Sequence, residues 1–224
     1  MSVTTGLKKL DALLGGGFPD NSVILLSGGP GTGKTLAALR FLIDGAKKGE
    51  KCCYITLTEK KEELVRACGS IHSLSEIGKY LDKNIAIEHI PMGQSNITMK
   101  RFLDIVEGYP KIDRIVIDNV NKLLMFSESE KSYRTYLIEL ISILKNCRSS
   151  LLVCETENDE TLDSGGKESF ECDGVIQLIF LDLEEKPMRA LIVHKMRYTS
   201  FDAKVPHELV IDSKDIRLTE TKII

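Results

Sequence analysis

Residues Gly28 to Thr35 read GGPGTGKT, a complete G-x-x-x-x-G-K-[ST] pattern. Such a run does specific chemistry. Gly28, Gly29, Gly31 and Gly33 allow the backbone to turn its N–H groups inward around a polyphosphate. A helix beginning near Lys34 aims its positive end at the same charge. Lys34 has the length to reach the β- and γ-phosphates, and the Thr35 hydroxyl can ligate Mg2+. With Pro30 and Thr32 inside the run and Leu36 after it, residues 28–36 form the expected nucleotide-binding set. The competing reading is a Gly-rich turn that holds nothing. The flanks argue against it: Val23–Ser27 is apolar and β-leaning, and Leu36–Lys48 carries apolar residues at Leu36, Leu39, Leu42 and Ile43, a helical spacing.

A phosphate loop needs partners. Ile115-Val116-Ile117-Asp118 is an apolar run ending in a carboxylate, which could orient Mg2+ through its water shell. A strand-end turn aspartate would read the same way in isolation. Glu59, at the end of KCCYITLT, is the best candidate for a base that orients an attacking water; the first acidic residue of an exposed helix is its alternative. Thr156, just past another apolar strand, could sense a γ-phosphate. Lys195 and Arg197 lie two apart, so on a strand they share a face. They could clamp phosphates or form a solvated strand face.

The elements that must position these groups alternate. Leu7, Leu10, Leu13 and Leu14 make an apolar helical stripe, stopped by Gly15–Gly17. Buried strands are expected at Val23–Ser27, Lys51–Thr58, Ile85–Ile90, Arg114–Val120 and Ser150–Cys154. Between them fall helical stretches through Cys68, around Ser73–Leu81, at Asn96–Glu107 (core candidates Ile97, Phe102, Ile105 and Val106) and at Ser132–Asn146. The last of these has Tyr136, Leu137, Leu140, Ile141 and Leu144 at helical spacing. Glu155–Asp173 is polar and aperiodic, the kind of long loop that is functional or mobile. Beyond it the pattern turns to strands at Gly174–Leu183 and Met188–Arg197, joined by a turn at Glu184–Pro187, and a hairpin at Glu208–Ile211 and Asp215–Leu218. The expected fold is α/β, a mostly parallel sheet flanked by helices with an antiparallel C-terminal extension, in one domain spanning residues 1–224.

Composition excludes little beyond the extremes. The 224 residues carry 30 Lys and Arg against 33 Asp and Glu, a net charge of −3, so no global basic field marks a nucleic-acid or membrane binder. Six cysteines occur without a C-x-x-C pair, and no His lies at zinc-finger spacing from them; they read as reduced core thiols. With no leader pattern and no apolar run of transmembrane length, a soluble cytoplasmic protein without membrane insertion is expected.

Taken together, the motifs resemble a known family. TGLKKLDALLGGGFP, Thr5 to Pro19, followed by the phosphate loop, is similar to the KaiC-like branch of the RecA superfamily of ATPases, and RadA-type recombinases share much of it. Asp118 matches the family's metal-orienting aspartate, Cys172-Asp173-Gly174-Val175-Ile176 its A-D-G-V-I segment, and Lys195-Met196-Arg197 its K-[ML]-R motif. The resemblance implies a RecA-like P-loop NTPase core, ATP and Mg2+ as ligands, and a homo-oligomeric ring, often a hexamer, with ATP between subunits. It also implies that Lys195 and Arg197 act on the neighbour's γ-phosphate. Two positions depart from it. Thr58-Glu59 stands where the family has two adjacent acids, and Tyr198 where it often has Gly.

Three readings follow. The first is a slow Mg2+-ATPase ring that regulates a protein partner. The second is a recombinase paralogue that binds DNA, disfavoured because acids in the 155–173 loop outnumber its single cation, Lys167. The third is a non-hydrolysing nucleotide switch or scaffold, to which the missing carboxylate at Thr58 points.

Overall fold

Period-two burial along the strands sets the architecture. In Ser22–Gly28, Ile24 and Leu26 belong to one apolar cluster and Val23 and Leu25 to another, so the strand is covered on both faces. The computed structural model describes residues 2–91, 98–108, 111–182 and 187–222. Its strands are β1 (Ser2–Val3), β2 (Phe18–Pro19), β3 (Ser22–Gly28), β4 (Cys52–Thr56), β5 (Ile85–His89) and β6 (Arg114–Asp118). They continue with β7 (Ser149–Glu155), β8 (Gly174–Asp182), β9 (Pro187–Met196), β10 (Pro206–Ile211) and β11 (Ile216–Lys222). The helices are α1 (Lys8–Leu13), α2 (Lys34–Lys47), α3 (Lys61–Gly69), α4 (His72–Ser75), α5 (Met99–Gly108), α6 (Glu130–Leu144) and α7 (Glu168–Glu171).

Among the described residues, β3 to β11 form one sheet in the order β11-β10-β9-β8-β3-β7-β6-β4-β5. The pairs from β8 through β5 are parallel, and β8-β9-β10-β11 are antiparallel. This is the parallel sheet with antiparallel extension that the strand–helix alternation predicts. Helices α1 and α2 cover one face, where Leu10, Leu39 and Leu42 pack on Ile24, Val116 and Val153. Helix α6 covers the other, where Leu137, Leu140 and Leu144 pack on Leu25, Ile115 and Leu152. No helix among the described residues is long and apolar enough to cross a membrane.

Four expectations are corrected. The strand expected to run to Val120 stops at Asp118, because Val120–Phe126 folds into a 3-10 helix. On α6 it is Tyr133, 1% exposed, that enters the core, whereas Tyr136 is 45% exposed. The strand expected to run to Arg197 ends at Met196, leaving Arg197 in the turn beyond it, and the aperiodic 155–173 segment contains α7. The N-terminal helix is only six residues long, and β1 and β2 on either side of it pair antiparallel. Ile97, the Phe102 side chain and residues 183–186, including most of the expected turn, lie outside the described residues. All six cysteines are buried and unpaired. Burial pushes the Cys52 and Cys68 thiols up to about 12, far from a reactive thiolate.

One ionic cluster ties the N-terminal segment to the sheet. Arg114, at the start of β6, is 1% exposed and pairs with Glu50 at 2.5 Å and Asp44 at 3.2 Å. Its Nη1 donates to the carbonyls of Thr4 (2.7 Å) and Phe41 (2.8 Å), and the guanidinium lies over the Phe41 ring. Gly45 on α2 makes room for it, since a Cβ there would stand 2.5 Å from Arg114 Nε. Truncating a partner of a buried pair strands the remaining charges. Arg114→Ala should therefore cost about 3–5 kcal/mol. Calorimetry should show this as a melting temperature about 6–20 °C lower; a shift below about 2 °C would contradict this account of the cluster.

Candidate nucleotide-binding site

Strand register gathers the site. Gly28 sits beside Glu155 on β7 and Leu178 on β8, while Asp118 sits beside Val153 on β7 and Thr56 on β4. The carboxyl ends of β3, β7, β6 and β4 thus meet at one edge, the usual ligand crevice of an open α/β sheet. Two glycines there have no substitute. Gly28, at φ 148°, would drive a Cβ to 2.1 Å from the Leu178 carbonyl oxygen. Gly33, at φ 105°, caps α2 and would drive one to 2.5 Å from Ile211 Cδ1.

Residues 28–36 fold as a loop closing onto the start of α2. The Thr32 hydroxyl donates to the Gly29 carbonyl at 2.8 Å, and Lys34 Nζ donates to the same oxygen at 2.7 Å. Pro30 and Gly31 are exposed at the loop's tip, and Leu36 packs on the core from the first turn of α2. Lys34 is 9% exposed. Burial lowers its pKa from the ordinary lysine value, against the opposing pull of Glu155 and Asp118. The Thr35 hydroxyl donates to Asp118 Oδ2 at 3.1 Å, and the Tyr54 hydroxyl donates to the same oxygen at 2.5 Å. Burial raises the Asp118 pKa, while the hydrogen bonds from Tyr54 and Thr35 pull it back.

Glu59 reaches the same edge. Thr56 Oγ1 donates to the Glu59 carbonyl and accepts from the Glu59 and Thr58 amides, curling the chain at the end of β4. The Glu59 carboxyl is pushed up by burial and by the charge of Asp118. It does not serve the following helix: Glu63 takes that role, accepting from the Lys60 amide at 2.7 Å. Thr58 is exposed. Thr156 donates its amide to the Gly28 carbonyl at 3.1 Å, and its buried Oγ1 has no hydrogen-bond partner among the described residues.

Lys195 and Arg197 are not part of this assembly. Met196, between them, pairs with Gly174, four residues down β8 from the Leu178 that pairs with Gly28. At about 3.3 Å per residue they are displaced roughly 13 Å from the phosphate loop along the strand direction alone, toward the opposite edge of the sheet and two strands across. Lys195 Nζ donates to three carbonyls of its own chain, Ser169 (3.1 Å), Phe170 (3.2 Å) and Cys172 (2.6 Å). Arg197 is exposed and meets Asp173 at 3.4 Å. Tyr198 follows at φ 63° and 89% exposed, a left-handed position that favours glycine.

Sequence reasoning did not assign Tyr54, Glu155 or Arg189 to the site. Arg189 on β9 donates to the Gly31 carbonyl at 3.2 Å, and its guanidinium lies 5.0 Å from the Phe180 ring centroid. Only the apolar run ending in Glu155 carried a local signal. The other two depend on which strands are neighbours.

The residues present fit a polyphosphate with a hard cation. Among the described residues a buried ammonium has no ion-pair partner and a buried hydroxyl is unpartnered, and the Thr35 hydroxyl donates to Asp118. Among the described residues no group of three or more His, Cys, Asp or Glu could hold a metal alone.

Comparison with known proteins agrees with this geometry. The family model described as "ATPase: KaiC" matches residues 3–223. The chain is 27% identical to the UPF0273 protein PH0284 of Pyrococcus horikoshii, over 99% of this chain and 95% of that one. It is also 27% identical to the circadian clock protein KaiC3 of Synechocystis, over 96% of this chain but 43% of that longer protein. The crystal structure of the KaiC-like protein PH0186 from Pyrococcus horikoshii OT3 superposes with a TM-score of 0.83 at 28% identity, covering 98% and 99% of the two chains. The RecA-like sheet is thus held in common with a defined group, and the chain belongs to the KaiC family of ATPases.

Proposed function

We propose that this protein binds Mg2+-ATP and hydrolyses it slowly at sites completed by a neighbouring copy in a ring, and that the nucleotide state of the ring regulates a protein partner. The observation that carries this reading is the division of the charged groups between two edges of one sheet. Lys34, Thr35, Asp118 and Glu59 converge at the carboxyl edge, while Arg197 is exposed at the other. Arg189, the cation beside the loop, is engaged with Gly31 and Phe180. A cation for the γ-phosphate is therefore best supplied by another subunit, as an arginine finger.

Residues 28–36 hold the phosphates and Lys34 neutralises the β- and γ-oxygens. Thr35 and Asp118 would hold Mg2+, which when bound offsets charge on the bridging phosphate oxygens. Glu59 is the base that orients water, its raised pKa making it a better proton acceptor than an ordinary carboxylate. One carboxylate near Asp118, beside an exposed Thr58, supports slow turnover rather than none. The exposed Glu157 and Glu160 on the 155–173 segment repel nucleic-acid phosphates, which weakens the DNA reading. A clock role belongs to the longer relatives and is not carried over.

Two measurements test this reading. Lys34→Ala should abolish ATP binding in calorimetric titration, and unchanged affinity would contradict it. Arg197→Ala should leave ATP binding and assembly intact in light scattering while turnover falls by about a thousandfold or more; normal turnover would remove Arg197 from the site. Separately, Tyr54→Phe deletes a buried hydrogen bond to Asp118. The Mg2+ concentration for half-maximal ATP binding should rise about tenfold, with stability lowered by only about 1 kcal/mol. An unaltered Mg2+ requirement would make Tyr54 a packing residue alone.

A further inference from the structure

Gln177, on β8, is 2% exposed, and both ends of its amide are engaged. Nε2 donates to the carbonyls of Asp159 (2.9 Å) and Thr161 (3.0 Å), which uses both of its N–H groups. That fixes which end of the amide faces β9. Oε1 lies 2.8 Å from His194 Nε2, so the imidazole donates. Burial and the charge of Lys204 lower the His194 pKa, which leaves the ring neutral at pH 7 with its proton on Nε2. A β-bulge places His194 for this: Val193 stands opposite Ile176 and Lys195 opposite Val175, leaving His194 as the extra residue.

The two carbonyls that Gln177 holds belong to a turn beside the phosphate loop. Asn158 Oδ1 accepts from the amides of Glu160 (3.0 Å) and Thr161 (3.1 Å) and closes the turn. The Asp159 carboxylate then meets two elements. Strand β3 ends at Gly28, opposite Leu178, while β8 runs on to Asp182; beyond the end of β3, Asp159 Oδ2 accepts from the Phe180 amide at 3.3 Å. Asp159 Oδ1 would stand 3.9 Å from a Cβ on Gly29. An exposed carboxylate is thus held next to the second glycine of the loop, where a polyphosphate would bring like charge.

We propose that the Gln177–His194 pair clamps the 158–161 turn so that Asp159 acts as an electrostatic brake on nucleotide binding, weakening the hold of the phosphate loop until the turn moves away. The brake rests on the nucleotide site proposed above; the clamp does not.

Calorimetric titration with Mg2+-ATP, paired with hydrogen exchange at amides 158–161 of the nucleotide-free protein, tests both. Asp159→Asn keeps an acceptor for the Phe180 amide and removes only the charge. It should bind ATP about fivefold tighter at ~50 mM salt, with the gain shrinking below about twofold at ~0.5 M. Gln177→Met fills similar space but cannot donate to either carbonyl. Its exchange should rise about tenfold, and its affinity should rise as in Asp159→Asn. His194→Leu should raise exchange, though less than Gln177→Met. The double variant of Asp159→Asn and Gln177→Met should bind no tighter than either alone, because both changes release the same brake. Unaltered affinity in Asp159→Asn, or a gain that salt does not reduce, would overturn the brake. That variant decides the brake even where Gln177→Met fails to fold, with His194→Leu then reading the clamp. Wild-type exchange in Gln177→Met would overturn the clamp, and raised exchange with wild-type affinity would break its link to the brake. A wild type that binds no ATP would remove the nucleotide site and the brake together, while the exchange comparison still decides the clamp.

Discussion

A buried carboxylate and a buried ammonium, neither matched by a direct ion pair among the described residues, set the terms on which this structure is built. Burial disfavours the charged form of both Asp118 and Lys34. Each is steadied by local dipoles: Asp118 by the hydroxyls of Tyr54 and Thr35, Lys34 by the Gly29 carbonyl. The two supports of Asp118 come from β4 and α2, so the pose of this carboxylate depends on how β4, β6 and α2 are placed together. On the proposed function, a polyphosphate with a hard cation would satisfy both charges at once and offset the cost of burying them.

The remainder of the molecule holds that arrangement rigid. Parallel strands covered on both faces bring their carboxyl ends level, and the ionic cluster at Arg114 locks the N-terminal segment, α2 and β6 together from beneath. The antiparallel strands do something different. They carry Arg197 and Tyr198 to the far edge of the sheet, exposed, with the backbone at Tyr198 in a conformation that costs an ordinary residue about 1–2 kcal/mol. A chain built this way displays a nucleotide crevice on one edge and a cation on the other.

Much of this was legible in the sequence where the signal is local. The phosphate loop is a contiguous motif, and strand–helix alternation announces a parallel sheet through period alone. Asp118 followed from an apolar run ending in an acid. The misreadings occurred where a local rule is degenerate or a partner is remote. Tyr133 and Tyr136 both stand at helical spacing from the core leucines of α6, and only the packing of α7 against Tyr133 decides between them. Tyr54 looked like any strand tyrosine, since its role depends on β4 lying next to β6. For Lys195 and Arg197 the period-two rule did not apply as expected, because the strand ends at Met196 and Arg197 lies in the turn beyond it; nothing in the spacing reveals the three carbonyls that Lys195 meets.

The central claim is that each site is shared between two copies, and complementation tests it most directly. Lys34→Ala subunits keep Arg197 but lose the phosphate site; Arg197→Ala subunits keep the site but lose the cation. Each alone should be inactive. Mixed in equal amounts with Mg2+-ATP, they should regain a substantial fraction of wild-type turnover, because some interfaces then join an intact site to an intact Arg197. A mixture that co-assembles by light scattering yet stays as inactive as its components would contradict the shared site.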